Sequence, residues 1–92
     1  MKYRLIYTTK FKKDYKLSIK RGMPIELLKD TITLLQNGQP LPSKMHDHAL
    51  VGDFIGFREC HILPDWLLLY FVEGDTITLT LARTGSHSDI FK

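Results

Sequence analysis

Every histidine in this 92-residue chain lies in one of three short clusters from Met45 onward. The first is Met45-His46-Asp47-His48. The second runs from Arg58-Glu59-Cys60-His61 to Pro64-Asp65-Trp66. The third is Arg83-Thr84-Gly85-Ser86-His87, with Phe91 close behind. Imidazoles exchange protons near neutral pH, so several in one small chain suggest proton transfer, metal ligation or a pH switch. Arg58 and Arg83 add fixed positive charge, and Asp65 adds a carboxylate able to orient an imidazole, which together suit a phosphate-ester site.

The elements that must position these residues can be read from periodicity. Tyr3 to Thr8 alternates and is β-prone, and Thr8 or Thr9 can cap a helix over Lys10 to Arg21 with Phe11, Tyr15 and either Leu17 or Ile19 on its apolar side. Gly22 stops it, Pro24 opens a second helix, and Ile25, Leu28, Ile32 and Leu35 form that helix's stripe up to Asn37-Gly38. Gln39 to Gly52 reads as one long irregular stretch, of the kind that often carries function. Phe54 to Leu63 and Trp66 to Val72 form a hairpin across Pro64-Asp65. Thr76 to Arg83 follows as a strand with Ile77, Leu79 and Leu81 on one face. The last residues make one helical turn.

The order β-α-α-β-β-β predicts an α+β two-layer domain over residues 1–92, a mainly antiparallel sheet with two helices packed on one face. The other face is then open to carry a site. Alternation within the strand puts Phe57, Glu59 and His61 on one side and Arg58 and Cys60 on the other.

Composition narrows the function classes. An apolar fraction of 43% with ten aromatics supports one compact core. The lone Cys60 excludes an internal disulfide and suits a reducing compartment. No apolar run is long enough to span a bilayer, and the first residues lack a secretory pattern, so no membrane role and a cytoplasmic location are expected. Charge is uneven: residues 1–44 hold ten Lys/Arg against three acids, or +7, whereas residues 45–92 hold three against seven, or −4, together the net +3. Lys10, Lys12, Lys13, Lys16, Lys20 and Arg21 crowd the first helix. They read as an electrostatic footprint for a polyanion, with a solvated helix face as the plain alternative.

The ordered set Asp47-His48, Gly52, Gly56, Arg58, His61, Pro64-Asp65-Trp66, Tyr70, Arg83-Thr84-Gly85, His87 and Phe91 resembles the YafQ branch of the RelE/ParE superfamily of type II toxins. The resemblance spans nearly the whole chain, and its pieces are specific in combination rather than singly. It implies a RelE/ParE-like fold and a ribosome-dependent mRNA endonuclease held by a cognate antitoxin in a hetero-oligomer. It also implies metal-free cleavage through attack of the ribose 2′-hydroxyl on the adjacent phosphate, with no cofactor. Carried over residue by residue, the functional positions fall on His48, His61, Asp65, Trp66, Arg83, His87 and Phe91. His46 has no place in that pattern and receives no role.

Such cleavage needs a base for the 2′-hydroxyl, an acid for the leaving 5′-oxygen and positive charge at the phosphate. His87 is the candidate acid. His48 is the candidate base, with His61 sharing that role or orienting the phosphate, and Asp65 holding His48 or His61 in one tautomer. Arg83 is the phosphate clamp. Trp66 and Phe91 are candidate base-stacking aromatics, with core packing as the alternative for each. Two rival functions remain. One is a metal site built from His46, His48, Cys60, His61 and His87, which lacks the usual zinc-ligand spacings. The other is a non-enzymatic ParE-like toxin acting on gyrase, which would not require the histidines or Arg83.

Overall fold

The computed structural model describes residues 2–91 and has the expected α+β architecture. Strand β1 (Arg4–Tyr7) leads into helices α1 (Thr9–Lys20) and α2 (Ile25–Gln36). A 3-10 turn at Ser43–Met45, a two-residue strand β2 (His48–Ala49) and a second 3-10 turn at Gly52–Phe54 follow. Then come β3 (Arg58–Leu63), β4 (Trp66–Glu73), β5 (Thr78–Gly85) and a short helix α3 (His87–Ile90). The sheet order is β1-β5-β4-β3-β2, with β1 parallel to β5 and every other pair antiparallel.

Local chemistry accounts for the helices. Thr8 caps α1 by accepting the Phe11 N–H at 3.0 Å, and Gly22 ends the turn with φ +73°. Phe11 and Tyr15 face the sheet, as their spacing predicts. The third inward residue is Ser18 rather than Leu17 or Ile19: both of those are exposed, and Ser18 is buried with its hydroxyl returned to the Asp14 carbonyl. A small residue is favoured there because α1 lies close against β5. In α2, Leu28 and Leu35 are buried and Ile25 and Ile32 partly so, the stripe expected from the sequence.

Both helices pack on one sheet face, against Cys60, Ile62, Trp66, Leu68, Tyr70, Leu79 and Leu81. The opposite face carries a smaller apolar cluster of Leu67, Leu69, Ala82 and Ile90, partly covered by Phe54, Phe57 and Phe91. Three features depart from the periodicity. The irregular stretch holds the extra strand β2, β3 begins only at Arg58, and Ile77 takes a left-handed φ of 51° at the turn before β5 instead of joining its inward face.

The departure that matters most is a bulge in β5. Tyr70 pairs with Leu81 but Leu69 pairs with Arg83, which leaves Ala82 as the additional residue. Strict alternation from Leu81 would aim Arg83 at the helices. The bulge resets the phase, so Arg83 joins Ala82 and Leu69 on the opposite face.

Candidate active site

Two rows run across the face opposite the helices. His48 pairs with Glu59, Glu59 with Leu69 and Leu69 with Arg83; His61 pairs with Leu67, and Leu67 with Gly85. At about 4.8 Å per strand, the backbones of His48 and Arg83 lie about 14 Å apart and those of His61 and Gly85 about 10 Å apart. The face thus carries His48, Glu59 and His61 at one side and Arg83 and the chain leading to His87 at the other.

Glu59 was not among the expected site residues, although alternation had already placed it beside His61. It is only 4% exposed. Its Oε1 lies 3.6 Å from His48 Nε2 and 3.5 Å from His61 Nε2. The opposite edge of each ring meets a backbone carbonyl: His48 Nδ1 is 2.6 Å from the His46 oxygen, and His61 Nδ1 is 3.2 Å from the Pro64 oxygen. A carbonyl only accepts, so both Nδ1 atoms carry their hydrogen and both Nε2 atoms face one carboxylate. Backbone carbonyls therefore set the tautomers, in place of Asp65. His46, in the left-handed region at φ 48°, turns the chain here, and its ring meets the edge of His61 at 5.9 Å between centroids.

Asp47 pins this loop to the sheet. It accepts from Arg58 Nε and Nη2 at 3.4 and 3.2 Å, and from the Tyr70 hydroxyl. Arg58 and Tyr70 are register partners, which is why one carboxylate reaches both. Burial, with the Asp47 hydrogen bond next, raises the Tyr70 pKa, so the phenol remains a donor. Burial likewise pushes the Cys60 thiol to about 12, helped by Asp47 and Glu59. An inert thiol on the helix face is a poor metal ligand and a poor nucleophile at neutral pH.

On the other side, Asp65 Oδ1 accepts the backbone N–H of His87 at 3.2 Å. Its observed partner is thus the segment that carries His87, rather than His48 or His61. Ser86 and Asp89 form a capping box at the start of α3, and Asp89 also takes Arg21 Nη1 at 2.8 Å. That ion pair gives Arg21 a structural task, with its side chain still half exposed. The Arg21 hydrogen bond, then that from the Ser86 backbone, holds the Asp89 carboxyl down at about 2. The exposed His87 ring lies 5.0 Å from that of Phe91, which in turn meets Phe54 at 4.9 Å.

Arg83 is held by Asp14, a residue of α1 that the sequence reading counted only as a charge. Nε donates to Oδ2 at 2.6 Å and Nη2 to Oδ1 at 3.2 Å; the Thr84 N–H also donates to Oδ2 at 3.1 Å. The reason is topological. β1 ends at Tyr7, so the outer edge of β5 beyond Leu81 has no strand partner, and the cap residue Thr8 and Asp14 of α1 take its place. Asp14 raises the Arg83 pKa, chiefly through its hydrogen bond.

Trp66 must be corrected outright. It is 1% exposed in the core under the helices, so it has no face for a nucleobase, and its indole N–H has no hydrogen-bond partner among the described residues. The lysines of α1 are all exposed but do not form one patch. Lys12, Lys13, Lys16 and Lys20 fall within about 100° of helix, with Lys10 and Arg21 on another flank.

At 40% identity over 86 residues, spanning 92% of this chain and 91% of the relative, the sequence is similar to the mRNA interferase toxin YafQ of Escherichia coli. The fold matches a crystal structure of Escherichia coli YafQ with TM-score 0.92 and 36% identity over 98% of this chain and 99% of that one. It matches an Escherichia coli DinJ–YafQ toxin–antitoxin complex with TM-score 0.90 and 36% identity over the whole of both chains. A metal-bound toxin from Helicobacter pylori matches with TM-score 0.90 and 42% identity over 99% and 100% of the two chains. The family model for the bacterial toxin YafQ of type II toxin–antitoxin systems matches residues 3–92. A site face bearing the family's ordered motif, on a fold shared end to end with its solved members, leads to one conclusion: the chain belongs to the YafQ family of type II toxins.

Proposed function

We propose that this chain is the mRNA-cleaving toxin of a type II pair, acting in the cytoplasm on messages held by the ribosome, without a metal, and neutralised by a cognate antitoxin bound in a hetero-oligomer. The observation that carries this reading is the register. One sheet face holds two imidazoles sharing a carboxylate on β2 and β3, with an arginine and a third imidazole at the end of β5. The name of the Escherichia coli relative, an mRNA interferase, supports the activity, and the DinJ–YafQ complex supports the partner. No helix among the described residues is long and apolar enough to cross a membrane, which accords with the proposed location.

In this mechanism His48 Nε2 takes the proton of the ribose 2′-hydroxyl. The 2′-oxygen attacks the adjacent phosphorus, and the bond to the 5′-oxygen breaks as His87 protonates it, leaving a 2′,3′-cyclic phosphate and a 5′-hydroxyl. His61 shares the base role or steadies the phosphate, and Arg83 offsets the added negative charge. Asp65 positions His87 through its backbone, and Phe91 backs the imidazole. Primer extension on a translated message tests the proposal: cuts appear with the wild type, and His87→Ala lowers the single-turnover rate by at least about a hundredfold while remaining folded. Full activity in folded His87→Ala would refute the acid assignment. The alternative, a ParE-like gyrase inhibitor, predicts no cuts and intact toxicity after the same substitution.

The Helicobacter pylori relative gives the metal question weight. Side-chain chemistry alone predicts that cleavage survives removal of transition metals from the toxin, with Mg²⁺ kept for the ribosome. Stoichiometric zinc or copper lost together with activity on chelation would overturn that prediction.

A further inference from the structure

Arg83 also lines an open groove of about 380 Å³ whose other walls take no part in the mechanism. Its walls include Phe57 and Phe71, whose ring centroids lie 5.2 Å apart at 86°. Leu69 and Ala82 lie between them and the clamp. Arg83 and the exposed Lys10 stand along the same groove. Thr80 also lines the groove, and its hydroxyl makes no hydrogen bond among the described residues.

A hydroxyl at the groove wall with no partner in the protein is free to donate to or accept from whatever fills the groove. Two rings at right angles suit a flat ring that stacks on one and touches the edge of the other. Cations beside an aromatic slot suit a phosphate joined to that flat ring. We propose that this groove is a nucleobase subsite: the base of a nucleotide beside the scissile phosphate lies against Phe57 and Phe71, an edge group of that base meets Thr80 Oγ1, and its phosphate bridges Arg83 and Lys10. The proposal rests on the ribonuclease reading and deepens it, because Thr80 then selects which base stands next to the cut.

The test maps cuts across many translated messages for the wild type, Thr80→Val and Phe71→Ala, with thermal unfolding as the control for folding and antitoxin affinity measured in parallel. The wild type should prefer one base at a fixed position beside the cut. Thr80→Val, which keeps the side-chain shape, should flatten that preference by about tenfold. Phe71→Ala should raise KM by about tenfold for all bases with kcat little changed. If Phe71→Ala fails to fold, Thr80→Val decides alone. Unchanged preference with Thr80→Val, in a protein that cuts normally, overturns the subsite and leaves the ribonuclease reading standing. Antitoxin affinity lost with the preference intact also overturns it and assigns the groove to the protein partner. A wild type that cuts no message refutes both readings at once.

Discussion

Glu59 carries a carboxylate into a position 4% exposed, where a charge is costly unless something pairs with it. Two imidazole Nε2 atoms lie within 3.6 Å of it, and each can pair with that charge when its ring is protonated. Glu59→Gln keeps the shape and removes the charge. The expected outcome is a folded protein whose single-turnover cleavage falls by at least about tenfold; an unchanged rate would reduce Glu59 to a packing residue. Trp66 teaches the opposite lesson. The motif that names it is silent on which face it occupies, and the structure buries it. Trp66→Phe should therefore leave cleavage unchanged, whereas Trp66→Ala should lose about 3–5 kcal/mol of stability in chemical denaturation. A well-folded Trp66→Phe protein that has lost cleavage would restore a role for the indole in RNA contact. Residue type and spacing singled out the histidines and Arg83, and the register sets His48, His61 and Arg83 on one sheet face. Asp14 was illegible as a partner because an ion pair formed 69 residues apart leaves no local pattern, whereas alternation already set Glu59 beside His61.

At the level of elements, β5 and α3 decide whether Arg83 and His87 reach the same site. Alternation made the inward faces of β3 and β5 readable, but it assumes an unbroken ladder, and a bulge of one residue at Ala82 reverses the direction of everything after it. β2 was unreadable because two residues are too few for a periodic signal. Helix α3 is four residues long, too short to stand on its own turns, and is held by Asp89 through Arg21 and Ser86. Gly85 fits this junction: a Cβ there would lie 3.1 Å from the Asp89 side chain. Because the folded-state pKa of Asp89 is depressed to about 2 from the ordinary 3.8, its contribution is present above pH 3.8 and is lost as pH falls towards 2. Asp89→Asn should therefore be less stable than wild type at pH 6, with the gap closing between about pH 4 and pH 2. Parallel denaturation curves across that window, with a constant gap, would show that Arg21 does not anchor α3 through charge.

Across the whole molecule, the charge imbalance read from the sequence becomes an arrangement. The site face holds buried Glu59, Asp14 of α1 reaches Arg83 at the edge of β5, and the lysines of α1 stand exposed on the flank. We expect Lys12, Lys13, Lys16 and Lys20 to dock on ribosomal RNA, presenting the opposite sheet face to the message. Lys12 and Lys16 also edge an apolar groove of about 620 Å³ between β1, α1 and α2, so a change there mixes two surfaces. Lys13 and Lys20 do not line that groove, which makes them the cleaner pair to reverse. Phosphate neutralisation is blind to sequence and steep in salt: each contact contributes about 0.7–0.9 to the slope of log affinity against log salt. Lys13→Glu with Lys20→Glu should weaken ribosome binding sharply and lower that slope by about 1.4 or more. Antitoxin affinity and thermal stability should change little, since neither lysine is buried. The ribosome then supplies the geometry of the substrate as well as its location, so the same message should be cut far more slowly when free than when translated. Equal cleavage of free and translated message, or a salt slope unmoved by the double reversal, would place the docking surface elsewhere and leave the lysines as a solvated helix face.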